Sequence, residues 1–221
     1  MFDMFTDRIE AGRKLGKRLH DYHSSSPLIL AIPMGGVPVA YQVAKKLQGE
    51  LDLVIPRKLP IPWNPEAGFG AMTIDGNIVL NHELVEGAHI TKPQVNVVAE
   101  LVLTEIQRRN KALRGDRPPA EVEGRTVIIV DDGLASGYTM LAGIRHVRAM
   151  NPAELIVAVP VASAQALRLV SQEADKMVCL VESPEIPFAV AGFYITWKDL
   201  TDQDVKQFLE YSPSRGKVLS S

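Results

Sequence analysis

Val127-Ile-Ile-Val130 is a run of four β-branched residues that leads directly into Asp131-Asp132-Gly133 and then into Leu134-Ala135-Ser136-Gly137-Tyr138-Thr139. Such a run reads as a buried strand. The glycine-bearing stretch after it, with Leu141, Ile144 and Val147 at helical spacing, reads as a turn into a helix. Adjacent carboxylates at a strand end can hold a hydroxylated sugar or a hydrated metal ion. Ser136, Gly137, Tyr138 and Thr139 offer amides and hydroxyls where a helix begins, the end of a helix that favours an anion. The run therefore predicts a strand, loop and helix built around a sugar phosphate. An acid pair after a strand also occurs in receiver domains of signalling proteins and in surface turns, and the run alone leaves these readings open.

The same strand, turn and helix grammar recurs along the chain. Leu28-Ile-Leu-Ala-Ile32 is followed by Pro33-Met34-Gly35-Gly36-Val37-Pro38 and by Val39, Val43 and Leu47 at helical spacing. Two consecutive glycines let a backbone approach an anion closely, or simply make a tight turn. Leu51 to Ile55 predicts a second strand that ends in Pro56-Arg57-Lys58, two cations at the end of the sheet where open α/β folds bind ligands. Leu155 to Val159, a helix capped by Ser163 and running through Glu173, and Met177 to Val181 continue the alternation. Strands alternating with helices predict a parallel sheet with right-handed crossovers.

Around this frame, Asp7 with Glu10 caps a first helix with Ile9, Leu15, Leu19 and Tyr22 on one face. Ala71 to Leu80 predicts a hairpin turning at Asp75-Gly76. Pro93 to Arg114 predicts a long amphipathic helix with Val95, Val98, Leu101, Val102, Ile106 and Leu113 facing the sheet. Between Leu59 and Phe69, Pro60, Pro62, Trp63, Pro65 and Gly68 are too irregular for an element, and the segment at about 57–70 reads as a mobile lid. Phe188, Phe193, Tyr194 and Trp197 form an aromatic cluster before a last helix from Thr201 through Tyr211, and 212–221 reads as a flexible tail.

The chain has 221 residues and a formal net charge of -2, which predicts one domain over 1–211 and gives no general attraction to nucleic acid or membrane. No apolar run approaches the ~20 residues that span a bilayer, so the expected compartment is the cytoplasm. The single cysteine, Cys179, reads as a buried core thiol, and the five histidines show no zinc-ligand spacing.

From Val127 to Thr139 the order of chemical types resembles the phosphoribosyl diphosphate (PRPP) motif of the type I phosphoribosyltransferases. The glycine turn, Arg57-Lys58, the lid segment and the acid pair also follow one another in that family's order, from about Asp7 to Val181. The nearest resemblance is to stand-alone bacterial and archaeal members of unassigned acceptor. It implies a type I phosphoribosyltransferase-like parallel twisted sheet flanked by helices, with a flexible lid loop and a small hood at about 183–211. It also implies a Mg²⁺-dependent transfer of the 5-phosphoribosyl group from PRPP to a nitrogen nucleophile of a small-molecule acceptor, with release of pyrophosphate, by a homodimer.

By this resemblance Asp131 and Asp132 hold the ribose hydroxyls, directly or through a Mg²⁺-bound water. Gly133, Ala135, Ser136, Gly137, Tyr138 and Thr139 hold the 5-phosphate. The Met34, Gly35, Gly36 turn with Arg57 and Lys58 takes the pyrophosphate, and Phe188 and Val190 are candidates to stack on the acceptor. The sequence names no general base; Glu66, the lid's only acid, is a guess by elimination alone. Two positions depart from common family patterns. Relatives commonly carry Arg or Lys where Met34 stands, which motivates an alternative: a PRPP-binding regulatory protein without turnover. Hypoxanthine/guanine enzymes carry an Asp where Ala135 stands, which disfavours a 6-oxopurine acceptor. A receiver-like domain would need a phosphoacceptor Asp after Leu155 to Val159, where Pro160 stands instead.

Overall fold

The structure is a computed structural model that describes residues 4–210; the predicted tail and Tyr211 lie outside the described residues. In chain order the elements are α1 (Arg8–Arg18), β1 (Leu28–Ala31), α2 (Gly36–Leu47), β2 (Glu50–Leu53), β3 (Arg57–Ile61), β4 (Asn64–Met72), β5 (Ile78–Leu80), α3 (His82–Gly87) and α4 (Lys92–Arg114). They continue with β6 (Thr126–Val130), α5 (Tyr138–Arg148), β7 (Glu154–Ser163), α6 (Ala164–Ser171), β8 (Lys176–Ser183) and α7 (Asp202–Glu210).

Five strands form one parallel sheet in the order β2-β1-β6-β7-β8. Alternate side chains enter two cores: Ile29, Ala31, Ile128 and Val130 face α1 and α2, while Leu28, Leu30, Val127 and Ile129 face α5 and α6. Burial on both faces is why these strands read as unbroken apolar runs. The predicted fold class is therefore the observed one. β7 is longer than expected and passes through Pro160. Beyond Ala158 it has outrun β6, and on the β8 side the pairing steps from Val159 to Val161, so the missing proline N–H interrupts no ladder.

The first helix buries the predicted Leu15, as the following Leu19 is buried, but departs from its predicted face at Ile9. Its buried residues include Ala11, Gly12, Leu15 and Gly16, with Ile9 only half-buried. A Cβ on Gly12 would lie 2.6 Å from the Val39 carbonyl, so α1 and α2 cross almost backbone to backbone. Where glycines make the contact, at Gly12 and Gly16, no apolar period marks it.

The predicted irregular segment is also different: it is a hairpin, β3 against β4, extended by β5 into a three-stranded antiparallel sheet. Its prolines disguise it. Pro60 lies on the edge strand at a register shift, and Pro65 lies in the part of β4 that β5 does not reach. Helix α4 covers this smaller sheet, not the parallel one: Val98, Val102 and Ile106 pack in one cluster with Leu59, Ile61, Phe69 and Met72. Leu101, expected on the buried face, is 68% exposed. Among the described residues no helix is long and apolar enough to cross a membrane.

The C-terminal end of α4 is tied to β2 by a buried ion pair. Arg114 Nη1 lies 2.5 and 2.6 Å from the two Asp52 oxygens, Arg114 Nη2 donates to the Leu53 carbonyl at 2.9 Å, and the Ala120 amide donates to Asp52 at 2.7 Å. Removing one partner strands the other charge. Asp52→Ala is expected to lower the unfolding free energy by about 3–5 kcal/mol in denaturant melts.

Candidate active site

From β1 the chain builds outward to β2, and from β6 it builds the other way through β7 and β8. The two central strands send their following helices to opposite faces, so the loops at their carboxyl ends part and leave a crevice. There a cleft of about 570 Å³ is lined by the turn after β1, the loop after β6, part of the β3–β4 hairpin and Val190.

The glycine turn and the acid pair are built against each other. A Cβ on Gly35 would lie 1.9 Å from Asp132 Oδ2, and one on Gly36 would lie 2.7 Å from the Val130 carbonyl and 2.9 Å from Asp131 Cα. In this structure the glycines admit the protein's own carboxylate and backbone. The Pro33-Met34 peptide is cis.

Asp131 Oδ1 accepts the Asp132 amide at 2.8 Å. Burial, then the neighbouring Asp132 charge, holds the Asp131 carboxyl well above the ordinary range. Burial also raises Asp132, against the opposing pull of Arg8. The Arg8 Nε donates to Asp132 Oδ2 at 2.8 Å, its Nη1 donates to the Lys198 carbonyl at 2.7 Å, and its guanidinium lies 3.8 Å from the Trp197 ring centroid. Tyr194 donates its hydroxyl to the Asp132 carbonyl at 2.6 Å, and burial, followed by the Asp132 charge, pushes its phenol up. Arg8 and Tyr194 were not among the predicted site residues. Arg8 stands 124 positions from Asp132 inside a capped helix, and Tyr194 stands in an aromatic cluster, so neither carries a local signal.

The loop after Asp132 rides on β7. The Leu134 amide donates to the Val161 carbonyl, the Ser163 amide donates to the Leu134 carbonyl, both at 2.9 Å, and the Ser163 hydroxyl donates to the Ala135 carbonyl at 2.7 Å. Gly137 has a φ of +84° at the N-cap of α5 and makes no side-chain cap, which leaves the first amides of α5 without a capping side chain where Gly137 to Met140 line the cleft.

Of the predicted residues, the cleft brings together Met34, Gly35, Lys58, Asp131, Asp132, Gly133, Ala135, Ser136, Gly137, Tyr138, Thr139 and Val190, and with them Glu66. Gly36 lies beneath the acid pair. Arg57 and Phe188 are elsewhere. Arg57 and Lys58 open β3 instead of ending β2, and successive strand residues face opposite sides. Lys58 faces the cleft with its Nζ 2.6 Å from the Glu66 carbonyl, whereas Arg57 lies 3.7 Å from Glu105 on α4. Burial, then the Arg109 charge, lowers the Arg57 pKa. Phe188 packs on Phe193, ring centroids 5.4 Å apart, beside a separate cavity of about 280 Å³.

The family model described as Phosphoribosyl transferase domain matches residues 3–196. The chain belongs to that family. Over 207 residues it is 38% identical to the Mycobacterium tuberculosis H37Rv protein named "Putative phosphoribosyl transferase Rv0571c", covering 94% of this chain and 46% of that protein. The chain thus spans about half the length of the curated relatives it matches. The crystal structure of TT1426 from Thermus thermophilus is 35% identical, with a TM-score of 0.77 over 95% of this chain and 99% of that one.

Two expectations follow for the ligand-free protein. Gly35→Ala must displace Asp132 or the turn, with an expected cost of about 1–3 kcal/mol in denaturant melts. The folded acid pair holds its proton more tightly than the unfolded chain, so stability falls as pH rises above the ordinary carboxylate range, by about 1.4 kcal/mol per pH unit until the folded carboxyl ionises. Melts of the wild type and Asp131→Asn from about pH 4 to about pH 8 are expected to show a steeper decline in the wild type than in the variant, which keeps the raised Asp132.

Proposed function

We propose that this chain is a Mg²⁺-dependent phosphoribosyltransferase that moves the 5-phosphoribosyl group from PRPP to a nitrogen nucleophile and releases pyrophosphate. The observation that carries the reading is the half-buried acid pair beside the uncapped start of α5, at the point where the sheet's strand order reverses. In this reading Asp131 and Asp132 hold the ribose hydroxyls and place negative charge near the ring as it becomes cationic. The loop from Gly133 through Thr139 takes the 5-phosphate on its amides and hydroxyls. The Met34 to Gly36 turn and Lys58 lie toward the departing pyrophosphate. Arg57 has no such part in the geometry described above, nor does Phe188 in stacking on the acceptor; Val190 keeps that role.

Among the described residues no three His, Cys, Asp or Glu side chains cluster as a metal cage. Two adjacent carboxylates, one of them ion-paired, fit a magnesium ion that keeps most of its ligands as water and substrate phosphate. When bound, such an ion neutralises diphosphate charge. Asp131 and Asp132 would be its protein-side partners, directly or through the ribose hydroxyls or water. Ala135 presents no acid at the loop, and the acceptor we propose is a base other than a 6-oxopurine. The cytoplasm and a homodimer complete the reading, on resemblance alone.

A second reading, a PRPP-binding regulator without turnover, is favoured by one observation: Lys58 is the one cation among the described residues that line the cleft. The two are separated by mixing protein, PRPP, Mg²⁺ and a panel of bases and amines and measuring pyrophosphate. The enzyme reading expects release with at least one acceptor that is not a 6-oxopurine, and a loss of about 100-fold or more in Asp131→Asn. Calorimetric PRPP binding with no release across the panel would support the regulator instead.

A further inference from the structure

Two neighbouring carboxylates at the mouth of a sheet look like a place for a divalent cation to settle before any substrate arrives. The surroundings of Asp132 argue otherwise. One of its oxygens already receives the Arg8 Nε at 2.8 Å, and the side chains of this pair are only 10% and 13% exposed. Nor is the guanidinium there by chance of rotamer. It lies on the Trp197 ring and donates to the Lys198 carbonyl, while Tyr194, from the same short segment, holds the Asp132 carbonyl.

That segment is itself paired with the start of the chain. The Phe5 amide donates to the Phe193 carbonyl and the Ile195 amide to the Phe5 carbonyl, both at 2.8 Å, and the Thr196 amide donates to the Thr6 carbonyl at 2.9 Å. Residues 5–8 and 193–198 therefore form one clamp that sets a cation against Asp132 with both partners fixed.

We propose that Arg8 is a positioning residue that acts as the acid pair's built-in counter-cation. It fixes the Asp132 carboxylate for sugar hydroxyls and denies the pair to a free divalent ion, so that the metal enters only with the diphosphate substrate. The last clause rests on the proposed function; the exclusion of free metal does not. The alternative is that Arg8 only ties α1 to the segment at 193–198, in which case the metal affinity of the ligand-free protein is indifferent to it.

The test titrates Mn²⁺, as a paramagnetic stand-in for Mg²⁺, into the ligand-free full chain and reads free Mn²⁺ by electron paramagnetic resonance. Arg8→Gln, with native circular dichroism, is expected to tighten Mn²⁺ binding by about tenfold or more, as removal of a unit charge at hydrogen-bond distance requires. Arg8→Lys, which keeps the charge, is expected to stay close to wild type, and adding Asp132→Asn to Arg8→Gln should abolish the gain. Equal Mn²⁺ binding by wild type and a folded Arg8→Gln would overturn the proposal. Should Arg8→Gln not fold, Arg8→Met, which keeps an apolar stem against the Trp197 ring while removing the charge, is read by the same criterion. A wild type that binds no PRPP in parallel calorimetry would defeat the proposed function while leaving the Mn²⁺ comparison to decide the role of Arg8.

Discussion

The Asp132 carboxylate occupies the space that a side chain at position 35 would need, and much of the site follows from that contact. It brings the turn after β1 against the loop after β6, across two strands already in parallel register from Leu28 and Val127 to Ala31 and Val130. The first turn of α5 then lines the cleft beside the acid pair, with Lys58 lining it from the smaller sheet. Arg8 and Tyr194 hold the other side of Asp132, so the beginning of the chain and the segment at 193–198 depend on the same carboxylate.

Burying two adjacent acids is costly, and the protein offsets only part of that cost. Arg8 opposes the upward push on Asp132, whereas Asp131 is raised by both burial and its neighbour. A group that destabilises the ligand-free fold is a common mark of a functional site. The contrast with Asp52 is instructive: that acid, more deeply buried, takes the Arg114 Nη1 on both oxygens and a backbone amide, and ties α4 and the chain after it to β2.

How much was legible in the sequence followed from whether the information was local. The central strands and the acid-pair motif could be read because β-branched runs, glycines and caps act over a few residues. The glycine pair was legible as a close approach, but what it approaches lies almost a hundred positions away. Prolines on a free sheet edge hid the β3–β4 hairpin, since a missing N–H is harmless where no partner waits. Taking Arg57 and Lys58 as the end of β2 overlooked the strand alternation that sends them to opposite sides. Arg8, Tyr194 and the Asp52–Arg114 pair exist only through long-range packing, and no spacing announces them.

The central claim is that the acid pair and the start of α5 form a single sugar-phosphate site. A crystal structure of the chain with PRPP and Mg²⁺ tests it most directly. The account predicts ribose hydroxyls at Asp131 and Asp132, the 5-phosphate on the amides from Ala135 to Thr139, and Arg8 still against Asp132. A 5-phosphate bound away from that loop, or ribose hydroxyls that touch neither acid, would contradict it.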